Sequence, residues 1–127
     1  MEDKILLGTR KKFNYDIIDI SGILSFSNSN RFKEYVYENI SAASSGLVLN
    51  LQNVPHIDSS ALSAFIELLR SMERSDGDMY LLHCNERVIN LLRKADISRY
   101  FNILRDEQEL SKRMNLEELD NLLSEPI

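Results

Sequence analysis

Residues 55–62 read Pro-His-Ile-Asp-Ser-Ser-Ala-Leu, and His56, Asp58, Ser59 and Ser60 are the side chains best placed in this chain to do chemistry together. A hydrolytic serine needs a base presented to its hydroxyl, and none is visible. His56 lies three residues before Ser59 in a loop, and the G-x-S-x-G elbow is absent. A metal centre normally takes several Cys or His ligands. The chain has one cysteine, Cys84, and two histidines, His56 and His83, without ligand spacing. Its four glycines stand singly at 8, 22, 46 and 77, so no Gly-rich loop cradles a phosphate. No catalytic residue, metal or cofactor is therefore expected. Two readings of Asp58-Ser59-Ser60 stay open. Asp and Ser are common helix caps, and the run needs no further role. Alternatively, either serine could carry a phosphate, which adds about −1.5 to −2 charges. Free N–H groups at a helix N-terminus would favour that charge, and Asp58 would oppose it at close range.

The elements around this turn must position it. Before it, Gly46–Leu51 (GLVLNL) is near-continuously apolar, as in a strand covered on both faces. After it, Leu62, Phe65, Ile66, Leu69 and Met72 share one helical face, widened by Ala61, Ala64 and Leu68. Upstream, Lys4–Gly8 and Tyr15–Ser21 read as strands, with Ile18 and Ile20 toward the core and Tyr15 and Ile17 on the other side. Gly22 ends the second, and Ser25, Ser27, Asn28 and Ser29 all offer caps for a helix whose stripe is Phe32, Val36, Ile40 and Ala43. Downstream, Ser75-Asp76-Gly77 is a turn and Met79–Leu82 a strand. Asn85 caps a helix with Val88, Leu91, Leu92 and Ala95 on its apolar face. Phe101–Leu104 reads as a last short strand, and Asp106 caps a helix through Leu110 to Met114. Asn115 with Glu118 resembles a capping box for a short extra helix bearing Leu116, Leu119, Leu122 and Leu123. Strands alternating with helices predict an α/β fold with a four- to five-stranded mixed sheet, helices mainly on one face, and an extra C-terminal helix.

The chain has 127 residues, which fits one domain. Its net charge is −5, and residues 106–127 supply all of the excess with seven acids against two bases. That balance disfavours a sequence-independent nucleic-acid binder, so no direct nucleic-acid partner is expected. No apolar run approaches a membrane span, and MEDKILLGTRKK has no signal-peptide core, so the expected home is the cytosol.

The run LVLNLQNVPHIDSSALSAFIELLR resembles the signature of the STAS family, in particular its stand-alone bacterial anti-sigma factor antagonists. Those carry an apolar strand, a short loop, Asp-Ser-Ser/Thr-Gly and an apolar helix. Ala61 stands at the usual glycine, and Gly22-Ile23-Leu24-Ser25 where acids often follow the second strand. MYLLHCNERVINLLRKADISRYFNILRDEQEL resembles the family's later elements. The resemblance implies a STAS-like domain over 1–110 and an acidic helical extension over 111–127. It implies a switched binding module rather than an enzyme, with Ser59 as phosphoacceptor and Asp58 and Ser60 as its neighbours. The unphosphorylated protein would bind an anti-sigma factor that is itself a serine kinase, through His56, Ile57, Ala61, Leu62 and Ser63. Phosphorylation would end binding, and a PP2C-type phosphatase would restore it. A homodimer stays open. The alternatives are a non-phosphorylated STAS adaptor in a transport or signalling assembly, and a small-ligand sensor.

Overall fold

The chain opens with an antiparallel hairpin, β1 (Leu6–Lys12) and β2 (Tyr15–Ser21), in the computed structural model, which describes residues 3–124. The hairpin turn is Phe13-Asn14, both at positive φ (52° and 72°), the requirement of the two-residue turn whose twist matches paired strands. The first strand begins two residues later than the expected Lys4–Gly8 and continues to Lys12. Thr9–Lys12 are polar, which conceals an edge strand whose partner is mostly buried.

From β2 onward the chain repeats strand, helix, parallel strand. The elements are α1 (Ser29–Asn39), β3 (Gly46–Asn53), α2 (Ser59–Arg74), β4 (Asp78–Leu82), α3 (Glu86–Lys94) and β5 (Asn102–Leu104). The five strands lie side by side in chain order, with only β1 antiparallel. Right-handed crossovers that always step the same way place α1, α2 and α3 on one face. Ile18, Ile20, Leu49, Leu81, Phe32, Phe65, Leu68 and Leu92 form that layer's core.

The alternate strand residues point to the other face, and α4 (Glu107–Ser124) covers it. Leu110 and Met114 pack there against Tyr15, Ile17, Val48, Tyr80, Leu82 and Leu104. Tyr15 and Ile17 are thus buried like Ile18 and Ile20. Polar groups fasten the helix. The Tyr15 and Tyr80 hydroxyls each donate to Glu117 at 2.6 Å, and Arg10 binds both Asp19, at 2.8 Å, and Glu107. Burial, then the Glu117 carboxylate, raise both phenols above their ordinary pKa. The Arg10 guanidinium and the Asn50 amide hold the Asp19 carboxyl below its own.

The expected new cap at Asn115 does not form. Leu110, Met114 and Glu117 continue one sheet-facing line, so the helix runs unbroken through both the 110/111 boundary and Asn115. Of the expected extension, 125–127 lie outside the described residues. Ala43 and Ala95, counted into apolar stripes, are exposed beyond the ends of α1 and α3.

Two glycines are obligatory. A Cβ at Gly46 would lie 2.2 Å from the Asp78 carbonyl oxygen and 2.8 Å from the Tyr15 ring. Gly22 has φ +118°, and a Cβ there would lie 2.4 Å from the Lys4 carbonyl oxygen.

Candidate functional site

The Asp-Ser-Ser turn sits where two loops are zipped together beyond the C-terminal ends of β2 and β3. Gly22 N–H donates to Asn53 O (3.0 Å), Leu24 N–H to His56 O (3.3 Å) and Asp58 N–H to Leu24 O (3.1 Å). Leu24 and Ile57, both fully buried, form an isolated parallel bridge there.

Asp58 caps α2 and does more. Its Oδ1 accepts the N–H groups of Ser60 (2.9 Å) and Ala61 (3.1 Å), and its Oδ2 accepts that of Phe26 (2.9 Å). One carboxylate therefore joins the helix to the β2–α1 loop. Buried Asn28 sets that loop from inside, accepting from Ser25 N–H and donating to Ile23 O and Asp3 O, all at 2.9 Å. Asn85 does the same for residues 54–55. It caps α3 through Val88 N–H (3.0 Å) while its amide donates to Pro55 O (3.1 Å) and Val54 O (3.3 Å).

Ser59, the first residue of α2, is exposed on this rigid base. Ser60 is half-buried and Ser63 is exposed one turn on. The residues expected to meet a partner divide. Ser63 and half-buried His56 reach the surface, whereas Ile57 and Ala61 are fully buried and Leu62 is 7% exposed. The latter three face the core and support the turn from beneath, so they correct the expectation of direct contact. The anion site expected at the helix start is also already filled. Asp58 takes the N–H groups of Ser60 and Ala61 that would have favoured a phosphate.

Beside Ser59 lies an open groove of about 900 Å³ between α1 and α2, lined by Phe26, Lys33, Ser60, Ser63, Glu67 and Arg70 among others. Lys33 and Glu67 pair across it at 2.9 Å. Phe26 is 83% exposed although Asp58 fixes its backbone. Sequence reading passed over Phe26 because only caps were sought in its Ser/Asn-rich stretch. A lone aromatic among six mostly polar residues, 25–30, was the available signal.

The remaining candidates serve structure. Burial pushes the Cys84 thiol up to about 12, which leaves it protonated and a poor nucleophile. His83 adopts φ 56° and its N–H donates to Leu104 O (3.2 Å), which continues the β4–β5 pairing. Among the described residues no cluster of His, Cys, Asp and Glu could hold a metal, and no helix is long and apolar enough to cross a membrane.

The model of the STAS domain family matches residues 9–110. No curated protein matches the chain in sequence. Among solved structures, the Thermotoga maritima protein TM1081 is 22% identical, covering 86% of this chain and 94% of its own, with a TM-score of 0.76. The anti-sigma factor antagonist SpoIIAA of Bacillus, solved in unphosphorylated and phosphorylated forms, is similar too. In its unphosphorylated form it is 16% identical, over 87% of this chain and 98% of its own, with a TM-score of 0.67. A sulfate transporter family protein from Wolinella succinogenes is 18% identical over 84% and 89%, with a TM-score of 0.73. At such identities the likeness shows the fold.

Proposed function

The chain belongs to the STAS domain family, and from that premise we propose that it is an anti-sigma factor antagonist switched by phosphorylation of Ser59. Unphosphorylated, it binds an anti-sigma factor with serine kinase activity through Ser59, Ser63, Phe26 and the groove beside them. The observation that supports this most is the placement of Ser59: an exposed hydroxyl on a helix start held rigid by Asp58, next to an exposed aromatic. A rigid base keeps the hydroxyl in one pose for a kinase, and an aromatic beside it suits an interface anchor.

The physical basis of the switch is charge with no local outlet. A phosphate on Ser59 would arrive beside the Asp58 carboxylate, whose backbone donors are already committed. It would stand at the surface as uncompensated charge and bulk, where a docked partner must desolvate it. A PP2C-type phosphatase would restore binding. The role is recognition, with no chemistry performed by this chain, and the setting is the cytoplasm.

Affinity capture from native lysate with wild type and Ser59→Glu side by side tests the proposal. We expect the wild type alone to recover an ATPase-like anti-sigma factor. Equal recovery of such a factor by both proteins would remove Ser59 from the switch. The fold is also that of a sulfate transporter family protein. Equal recovery of a membrane transporter by both proteins would favour the adaptor reading and leave Asp58-Ser59-Ser60 as a cap.

A further inference from the structure

The outer face of α4 carries four leucines in contact with solvent: Leu116 at 60%, Leu119 at 50%, Leu122 at 62% and Leu123 at 75% exposure. Monomeric proteins rarely leave a contiguous apolar stripe of this kind uncovered. The helix cannot roll to bury it, because Leu110, Met114 and Glu117 hold the opposite face against the sheet, with Glu117 gripped by two tyrosines. Leu116, Leu119 and Leu123 follow one another at three and four residues, the seam spacing of paired helices, and Leu122 borders them.

We propose that this face pairs two copies of the chain, with their α4 helices antiparallel about a two-fold axis between Leu116 and Leu119. The charges on the helix select both occupant and direction. Arg113 and Asp120 flank the same side of the seam, seven residues apart and both exposed. Antiparallel pairing sets Arg113 of each copy opposite Asp120 of the other, twice by symmetry. Lys112 lies on the seam line itself, where it meets the carbonyl end of the other helix, a favourable place for a cation. Parallel pairing would instead bring Lys112 against Lys112. The acidic residues Glu118 and Asp120 oppose an anionic membrane as occupant. A single helix pair is smaller than a standard interface, so we expect weak, reversible association. The dimer leaves Ser59 free, since α2 lies on the far face of the sheet.

Sedimentation equilibrium of the full chain, from low to high micromolar concentration, decides the matter. We expect a reversible dimer that Leu119→Glu weakens roughly tenfold or more. Asp120→Arg should weaken it roughly fivefold, and Arg113→Glu with Asp120→Arg should restore it. Should Leu119→Glu lose its circular-dichroism helix signal, Leu123→Gln, at the most exposed of the four, replaces it. A monomer throughout the range overturns the proposal. So does a dimer indifferent to these leucine substitutions, and failure of the double charge reversal to restore affinity overturns the antiparallel register. Each outcome is independent of whether Ser59 is ever phosphorylated.

Discussion

Asp58 accepts three backbone N–H groups, two from its own helix and one from a loop 32 positions earlier in the chain. Replacing it with Ala removes the cap and leaves the Phe26 donor without its acceptor, so Asp58→Ala should cost about 2 kcal/mol in urea unfolding. Ser59→Ala should stay within about 0.5 kcal/mol of wild type in the same measurement, because that side chain is exposed. A large loss from Ser59→Ala would mean that the hydroxyl is structural. The two substitutions separate what holds the turn from what the turn displays. The cap itself was legible because it depends on residues two and three places away. The grip on Phe26 was not, since nothing local to residue 26 shows which carboxylate the fold will bring beside it. Ala61 and Leu62 were read on the apolar face of α2, yet they were also expected, with Ile57, to touch a partner. They adjoin the exposed serine in sequence, and the helix turns them inward.

Among the elements, α4 is held by polar contacts at separated points, and β3 by a glycine. Glu117→Ala would leave the Tyr80 hydroxyl without its charged acceptor and Tyr15, packed against it at a ring separation of 5.8 Å, with only the longer bond to Asp78 at 3.1 Å. We expect a loss of about 2 kcal/mol in urea unfolding, with Glu117→Gln milder because one amide oxygen still accepts. Gly46→Ala should be worse, at about 3 kcal/mol, because its Cβ meets the backbone carbonyl of Asp78 rather than a side chain that can turn away. Unchanged stability would mean that β2 and β4 are not in fact so close around β3. Strand β3 was readable because Gly46–Leu51 is apolar almost continuously, and β2 because isoleucines recur among its polar residues. Strand β1 was read short because an edge strand shows its pattern on one face only. A continuous α4 was hidden because tyrosine hydroxyls and an ion pair help to hold it, and apolar periodicity does not register them.

For the whole molecule, both faces of the sheet shelter groups that hold their protons more tightly folded than unfolded. Cys84 sits beside the α1–α3 layer, and Tyr15 and Tyr80 lie beneath α4. The thiol is raised from 9.0 to about 12, and the two phenols are raised above their ordinary 10.0. Above pH 9 the unfolded chain therefore binds fewer protons than the folded one, and stability falls as pH rises. The contribution is complete below pH 9 and is lost progressively toward pH 12. Chemical denaturation across that range should show the decline, and replacing Cys84 with Ala and both tyrosines with Phe should flatten it. A flat wild-type profile would show these groups to be solvated. The order of elements and a mixed sheet were legible from alternating strand and helix patterns, but the second buried face was not, because it requires knowing where α4 lands. That landing has a consequence for synthesis. Glu117 reaches back 102 residues to Tyr15 and 37 to Tyr80. A chain leaving the ribosome can complete its other layer while Ile17, Val48 and Leu82 stay bare until residues 107–124 emerge. During that interval the nascent protein carries an open hydrophobic sheet, and a chaperone has its longest opportunity to bind it.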